Sequence, residues 1–84
     1  MNINELINKL EEKNISKALY SLDGHLKSDT LILRRQSLCW EVFYFDEKGN
    51  EQDNKIFETE SDACEYLYRV LIENMDIKVK YNIN

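Results

Sequence analysis

Glycine occurs only twice in these 84 residues, at Gly24 and Gly49, and proline does not occur at all. Two isolated glycines cannot build the backbone cradle that nucleotide-binding loops wrap around phosphates. Cysteine is equally scarce. Cys39 and Cys64 lack the dense spacing of a disulfide scaffold and are read as reduced core thiols. His25 is the sole histidine, and it shares no metal-ligand spacing with the two cysteines, so no metal and no catalytic residue is expected there. No window reaches the roughly 18 apolar residues that a membrane span needs. The opening Met1-Asn2-Ile3-Asn4-Glu5 has neither the basic flank nor the apolar run of a secretory signal. These absences lead to the expectation of a cytoplasmic protein that carries no cofactor and touches no membrane.

What is present is enough for one folded domain over residues 1–84. A 43% hydrophobic share is too high for a disordered chain, and nine aromatic residues supply large blocks of buried area. The net charge of −5 is unevenly placed. Residues 1–45 balance six acids with six Lys or Arg, whereas residues 46–76 set ten acids against Lys48, Lys55 and Arg69. Nucleic-acid binding needs clustered positive charge, so this distribution argues against direct nucleic-acid contact and for a basic protein partner. The plain alternative is that the acids serve solubility.

Ile3, Leu6, Ile7 and Leu10 recur at helical spacing, which predicts a helix over 3–13 with Asn2 or Asn4 as its cap. Strands are expected over 18–22, 30–35, 39–45 and 54–58. Cys39 to Phe45 gives the strongest of these signals, and Asp46-Glu47-Lys48-Gly49-Asn50 reads as the hairpin loop after it. Thr59 with Asp62 three residues later marks the start of a second helix over 60–75, in which Ala63, Leu67, Val70 and Leu71 form the apolar stripe and Glu65 and Arg69 pair on the wet side. Ile77, Val79 and Tyr81 alternate with lysines, so residues 77–81 are a candidate fifth strand. The expected class is α+β: an antiparallel sheet of three to four strands packed against an N-terminal and a C-terminal helix.

Alternation along the main strand places Trp40, Val42 and Tyr44 on one face and Cys39, Glu41, Phe43 and Phe45 on the other. Glu41 marks the second face as the wetter, which leaves Phe43 and Phe45 as candidate apolar anchors beside acidic loops, unless the tail strand or a loop covers them. The carboxylate pairs Glu11-Glu12 and Asp46-Glu47 lie on wet helix and loop positions rather than in a cleft, where general acid–base chemistry would need them. No enzyme is expected.

The run Tyr20-Ser21-Leu22-Asp23-Gly24, then Trp40-Glu41-Val42-Phe43-Tyr44 leading to Glu47-Lys48-Gly49, then Phe57, Glu60 and Asp62-Ala63-Cys64, resembles small immunity proteins of bacterial polymorphic toxin systems, including those of contact-dependent inhibition and LXG-type toxins. The resemblance spans residues 18–72. It implies stoichiometric binding of a cognate toxin, often a nuclease, with Tyr20, Trp40, Gly49, Ala63 and Cys64 as scaffold. The expected partner-binding residues are Asp46, Glu47, Glu51, Asp53 and Glu60, with Phe43 or Phe45 as anchor. The opening Met1 to Ile7 is also similar to some phage anti-CRISPR proteins, which block Cas nucleases. A third expectation, of another class, is a homo-oligomerising assembly module that dimerises through its tail strand or its Phe43/Phe45 face; the inhibitor reading expects a monomer or weak dimer.

Overall fold

The computed structural model describes residues 1–80, with side chains as far as Asn74. Helix α1 spans Ile3–Glu12. Asn2 caps it: its side chain accepts from the Glu5 N–H at 2.8 Å, and Glu5 accepts in return from the Asn2 N–H at 2.9 Å. This reciprocal arrangement satisfies two donors that a helix start otherwise leaves orphaned. Leu6 and Leu10 point inward and are fully buried. Asn14 then takes φ +57, the left-handed conformation in which helices commonly stop.

The expected first strand over 18–22 is shorter than its residues imply. Ser16 caps a single 3-10 turn over Lys17–Leu19, and only Tyr20–Ser21 pairs, as β1. It also runs parallel to β2 (Thr30–Gln36), with Tyr20 opposite Leu31 and Ser21 opposite Ile32, so the sheet is mixed rather than wholly antiparallel. The Asp23 carboxylate accepts from the Ser21 hydroxyl and the His25 N–H, and Gly24 turns at φ +81. Residues 22–29 then return the chain to the start of β2 instead of folding straight back as a hairpin.

The remaining strands form an antiparallel meander, β2–β3–β4, with β3 over Cys39–Phe45 and β4 over Glu51–Phe57. Ser37 and Leu38 make the β2–β3 turn, with Ser37 at φ +46. At the β3–β4 turn Asp46 accepts from the N–H groups of Lys48 and Asn50 at 2.9 and 2.7 Å, and Gly49 supplies φ +85. That closure sets Glu51 opposite Phe45, so β4 begins three residues earlier than expected. A register shift between Val42 and Tyr44 is absorbed on β4, where Asp53 sits at φ +56.

Helix α2, Glu60–Lys80, starts with Thr59 accepting from the Asp62 N–H at 3.1 Å. It packs on β2, β3 and β4, and α1 packs on α2, giving two layers with one face of the sheet covered by helix. The core between them holds Leu6, Leu10, Tyr20, Leu33, Val42, Ala63, Cys64, Leu67 and Leu71. Residues 77–80 belong to α2 and not to a fifth strand; position 81 of that expected strand lies outside the described residues. Extending a helix already formed adds a hydrogen bond for each residue fixed, and no glycine or proline interrupts this stretch.

A second correction concerns the opposite face of the sheet. Phe43 is 1% exposed, so it is no surface anchor. It pairs across from Ile32, itself fully buried, and the Arg34 guanidinium lies over its ring at 4.3 Å. The 22–29 segment closes in there as well: Gly24 lies so near Arg34 that a Cβ at position 24 would stand 3.6 Å from Cγ of Arg34. Phe45 is half-buried.

Candidate functional site

The carboxylates expected to face a partner meet different fates. Asp46 is held inside its own turn, where bonds from the Asn50 and Lys48 N–H groups and the Gln52 side chain keep its pKa below the usual carboxylate range. Glu51 takes two bonds from Arg34, at 3.1 and 3.2 Å, and one from Asn54 at 2.9 Å, and Arg34 foremost lowers its pKa. Glu60 accepts from the Ile3 N–H at 2.8 Å and ties the start of α1 to α2. These three carboxylates hold the fold together. Glu47 and Asp53 are exposed and make no hydrogen bond or ion pair among the described residues.

Glu41, read from the sequence as the mark of a wet face, is 6% exposed. It is the hub of a network across three strands. One oxygen accepts from Arg34 at 2.6 Å and from Gln36 at 2.6 Å, and the other from Asn54 at 2.7 Å. A carboxylate buried this deeply is tolerable only when such donors replace water. The signal for it lay in the register. Counting outward from a two-residue turn at Ser37-Leu38 sets Arg34 directly across from Glu41.

The acidic stretch therefore does not form a single face. Glu51 lies with Arg34, Glu41 and Asn54 on the side of the sheet away from the helices. Asp62, Glu65 and Glu73 are exposed on α2, which covers the other side. There, an open groove of about 530 Å³ runs along the helix, floored by Phe57, Tyr66, Tyr68 and Ile72 and edged by those three carboxylates. Phe57 and Tyr66 stack with centroids 5.2 Å apart. Arg69 does not appear in an ion pair with Glu65 among the described residues; its guanidinium lies over the Tyr66 ring at 5.5 Å instead. Lys9 of α1 stands over Tyr68 at 5.9 Å, and Glu65 is 3.7 Å from the Met1 amino group.

A second hollow, of about 260 Å³, adjoins this groove between the β4 bulge and α2. Asp53, Tyr44, Tyr66, Val70 and Asn74 line it, and Tyr66 lines both. The bulge thus gives Asp53 a different setting from Glu51: it belongs to the seam between β4 and α2. Sequence reading counted Asp62, Glu65 and Glu73 in the acidic stretch but placed none of them among the expected partner-binding residues.

Both cysteines are free, Cys39 half-buried and Cys64 buried. Burial pushes the Cys64 thiol up to about 11, which keeps it protonated at neutral pH. Among the described residues, no group of His, Cys, Asp and Glu is arranged to hold a metal ion, and no helix is long and apolar enough to cross a membrane. Comparison of the chain with protein-family models, curated proteins and solved structures gave no match.

Proposed function

We propose that this protein is an immunity-type inhibitor, acting in the cytoplasm to bind a basic bacterial toxin domain and neutralise it by obstruction, without chemistry of its own. The observation that carries this reading is the surplus of exposed carboxylates between residues 46 and 74. Glu47, Asp53, Glu58, Asp62, Glu65 and Glu73 face solvent, against Lys48, Lys55 and Arg69. A surface of this kind steers a positively charged partner into contact and occupies positions where its substrate phosphates would sit. A nuclease is the toxin class whose substrate groove matches that charge. One small domain can offer about 800 Å² to its partner, enough for tight binding if a few anchors fit.

The test is to sequence the genes flanking this one and to co-express this protein with the toxin domain they encode; flanking genes that encode none would count against the reading. Restored growth together with a complex that survives purification is the expected result. Killing that this protein does not prevent, with no complex recovered, would contradict the reading.

A further inference from the structure

We infer that the seam between β4 and α2 is the docking surface, and that its occupant is a basic segment of a partner protein whose lysine or arginine stems lie along the aromatic floor. This rests on the inhibitor reading above and locates its contact. Three observations converge on the seam. The floor is apolar and aromatic: Phe57, Tyr66 and Ile72 are all half-buried although the groove is open. Such a surface favours long side chains that bury methylene stems while keeping a charged head in water. The rims are acidic, with Asp62 and Glu73 along α2, Asp53 at the adjoining hollow, and Glu65, whose side chain stays 60% exposed beside the Met1 amino group at 3.7 Å, while Arg69 is engaged with Tyr66. The rings accept cations on their faces: Arg69 and Lys9 stand over Tyr66 and Tyr68, and both are exposed, so an arriving cation can displace them, whereas Arg34 is pinned over Phe43 by Glu41 and Glu51.

The opposite face of the sheet differs on each count. Phe43 is covered there by Arg34, and the carboxylates of Glu41 and Glu51 are already bonded to Arg34 and Asn54. The inference thus shifts the contact away from the hairpin residues and retains Asp53 alone among them.

The experiment uses the full chain and a short probe peptide alternating lysine and leucine, with a serine–leucine peptide as the neutral control. Backbone amide shifts are followed during titration, and affinity is measured at low and at physiological salt. The expected shifts cluster at Asp53, Phe57, Tyr66, Arg69 and Glu73. Combining Glu65→Lys with Glu73→Lys should weaken the lysine peptide about tenfold at low salt, and less when salt screens the charges. Glu65→Gln with Glu73→Gln should fall between, which guards against a folding artefact in the reversed variant. Equal affinity for the neutral peptide, unchanged affinity in the reversed variant, or shifts centred on residues 46–50 would overturn the assignment. So would self-association that protects these amides, since the occupant would then be a second copy of the chain. Whether a toxin domain is neutralised on co-expression is scored separately. A captured toxin indifferent to the reversal removes this site and leaves the proposed function standing.

Discussion

Replacing Glu41 with leucine tests the network at the hub of the sheet. The Glu41 side chain is 8% exposed and receives bonds from Arg34, Gln36 and Asn54, the closest at 2.6 Å. A hydrogen bond to a charged group contributes roughly 1.5–3 kcal/mol, and the cost of desolvating the carboxylate offsets much of that. Breaking a buried ion pair by removing one partner typically costs about 3–5 kcal/mol. Here the cost is reduced, because Arg34 is 25% exposed and keeps Glu51 at 3.1 Å. Glu41→Leu should therefore destabilise the fold by about 2–3 kcal/mol, a large part of a margin on the order of 5 kcal/mol for a chain this size. In thermal unfolding that is a fall in Tm of roughly 10–20 °C. Adding Arg34→Met should recover most of the loss, because a methionine can still cover Phe43 and no buried cation remains. A single-variant loss under about 0.5 kcal/mol, or a double variant as unstable as the sum of the two singles, would refute the reasoning.

Phe43→Ala should cost about 3–5 kcal/mol and leave much of the protein unfolded in urea titrations, whereas an exposed anchor would leave stability untouched. Ser37→Gly should raise stability by up to about 1 kcal/mol, read from the urea midpoint, because φ +46 there strains any residue with a Cβ. The folded-state pKa values of Asp23, Asp46 and Glu51 are lowered, by the His25 N–H, the Asn50 N–H and Arg34 respectively as first causes. A depressed pKa contributes stability above the unfolded-state value and loses it as pH falls through the folded one. Stability should therefore hold from neutrality down to about pH 4 and decline below that, and a rise on acidification would contradict the assignment.

Much of the fold was legible because local signals agreed with one another. The 3.6-residue period of Ile3, Leu6, Ile7 and Leu10 gave α1, the β-branched and aromatic run gave β3 to the residue, and Thr59 with Asp62 gave the start of α2. What was hidden depended on contacts distant in sequence. Tyr20–Ser21 joins the sheet in parallel because residues 22–29 return to the start of β2, which no short window reveals. Glu51 to Asn54 carry no strand propensity, and they pair because the Asp46 turn delivers them to β3. The alternation of Ile77 with Val79 resembled a strand, yet a helix already under way continues through it.

The candidate site was legible in composition and not in placement. An excess of carboxylates past residue 45 can be counted, but which of them the fold consumes cannot. Glu60 is bound to the start of α1, 57 residues away in the chain, and Glu51 to Arg34 two strands over. Phe43 and Glu41 share a face that looked wet because it carries a charge. The charge is buried with its partners, and Arg34 covers the ring.

The most direct test of the account is the affinity of this protein for a basic toxin domain, taken from the neighbouring gene where that gene encodes one, measured by calorimetry across a range of sodium chloride. A one-to-one complex is expected that weakens steadily as salt rises, and whose salt dependence falls by about a third once Glu65 and Glu73, two of the six exposed carboxylates, are neutralised. Binding that ignores both salt and those two residues, or no binding at all, would contradict the account.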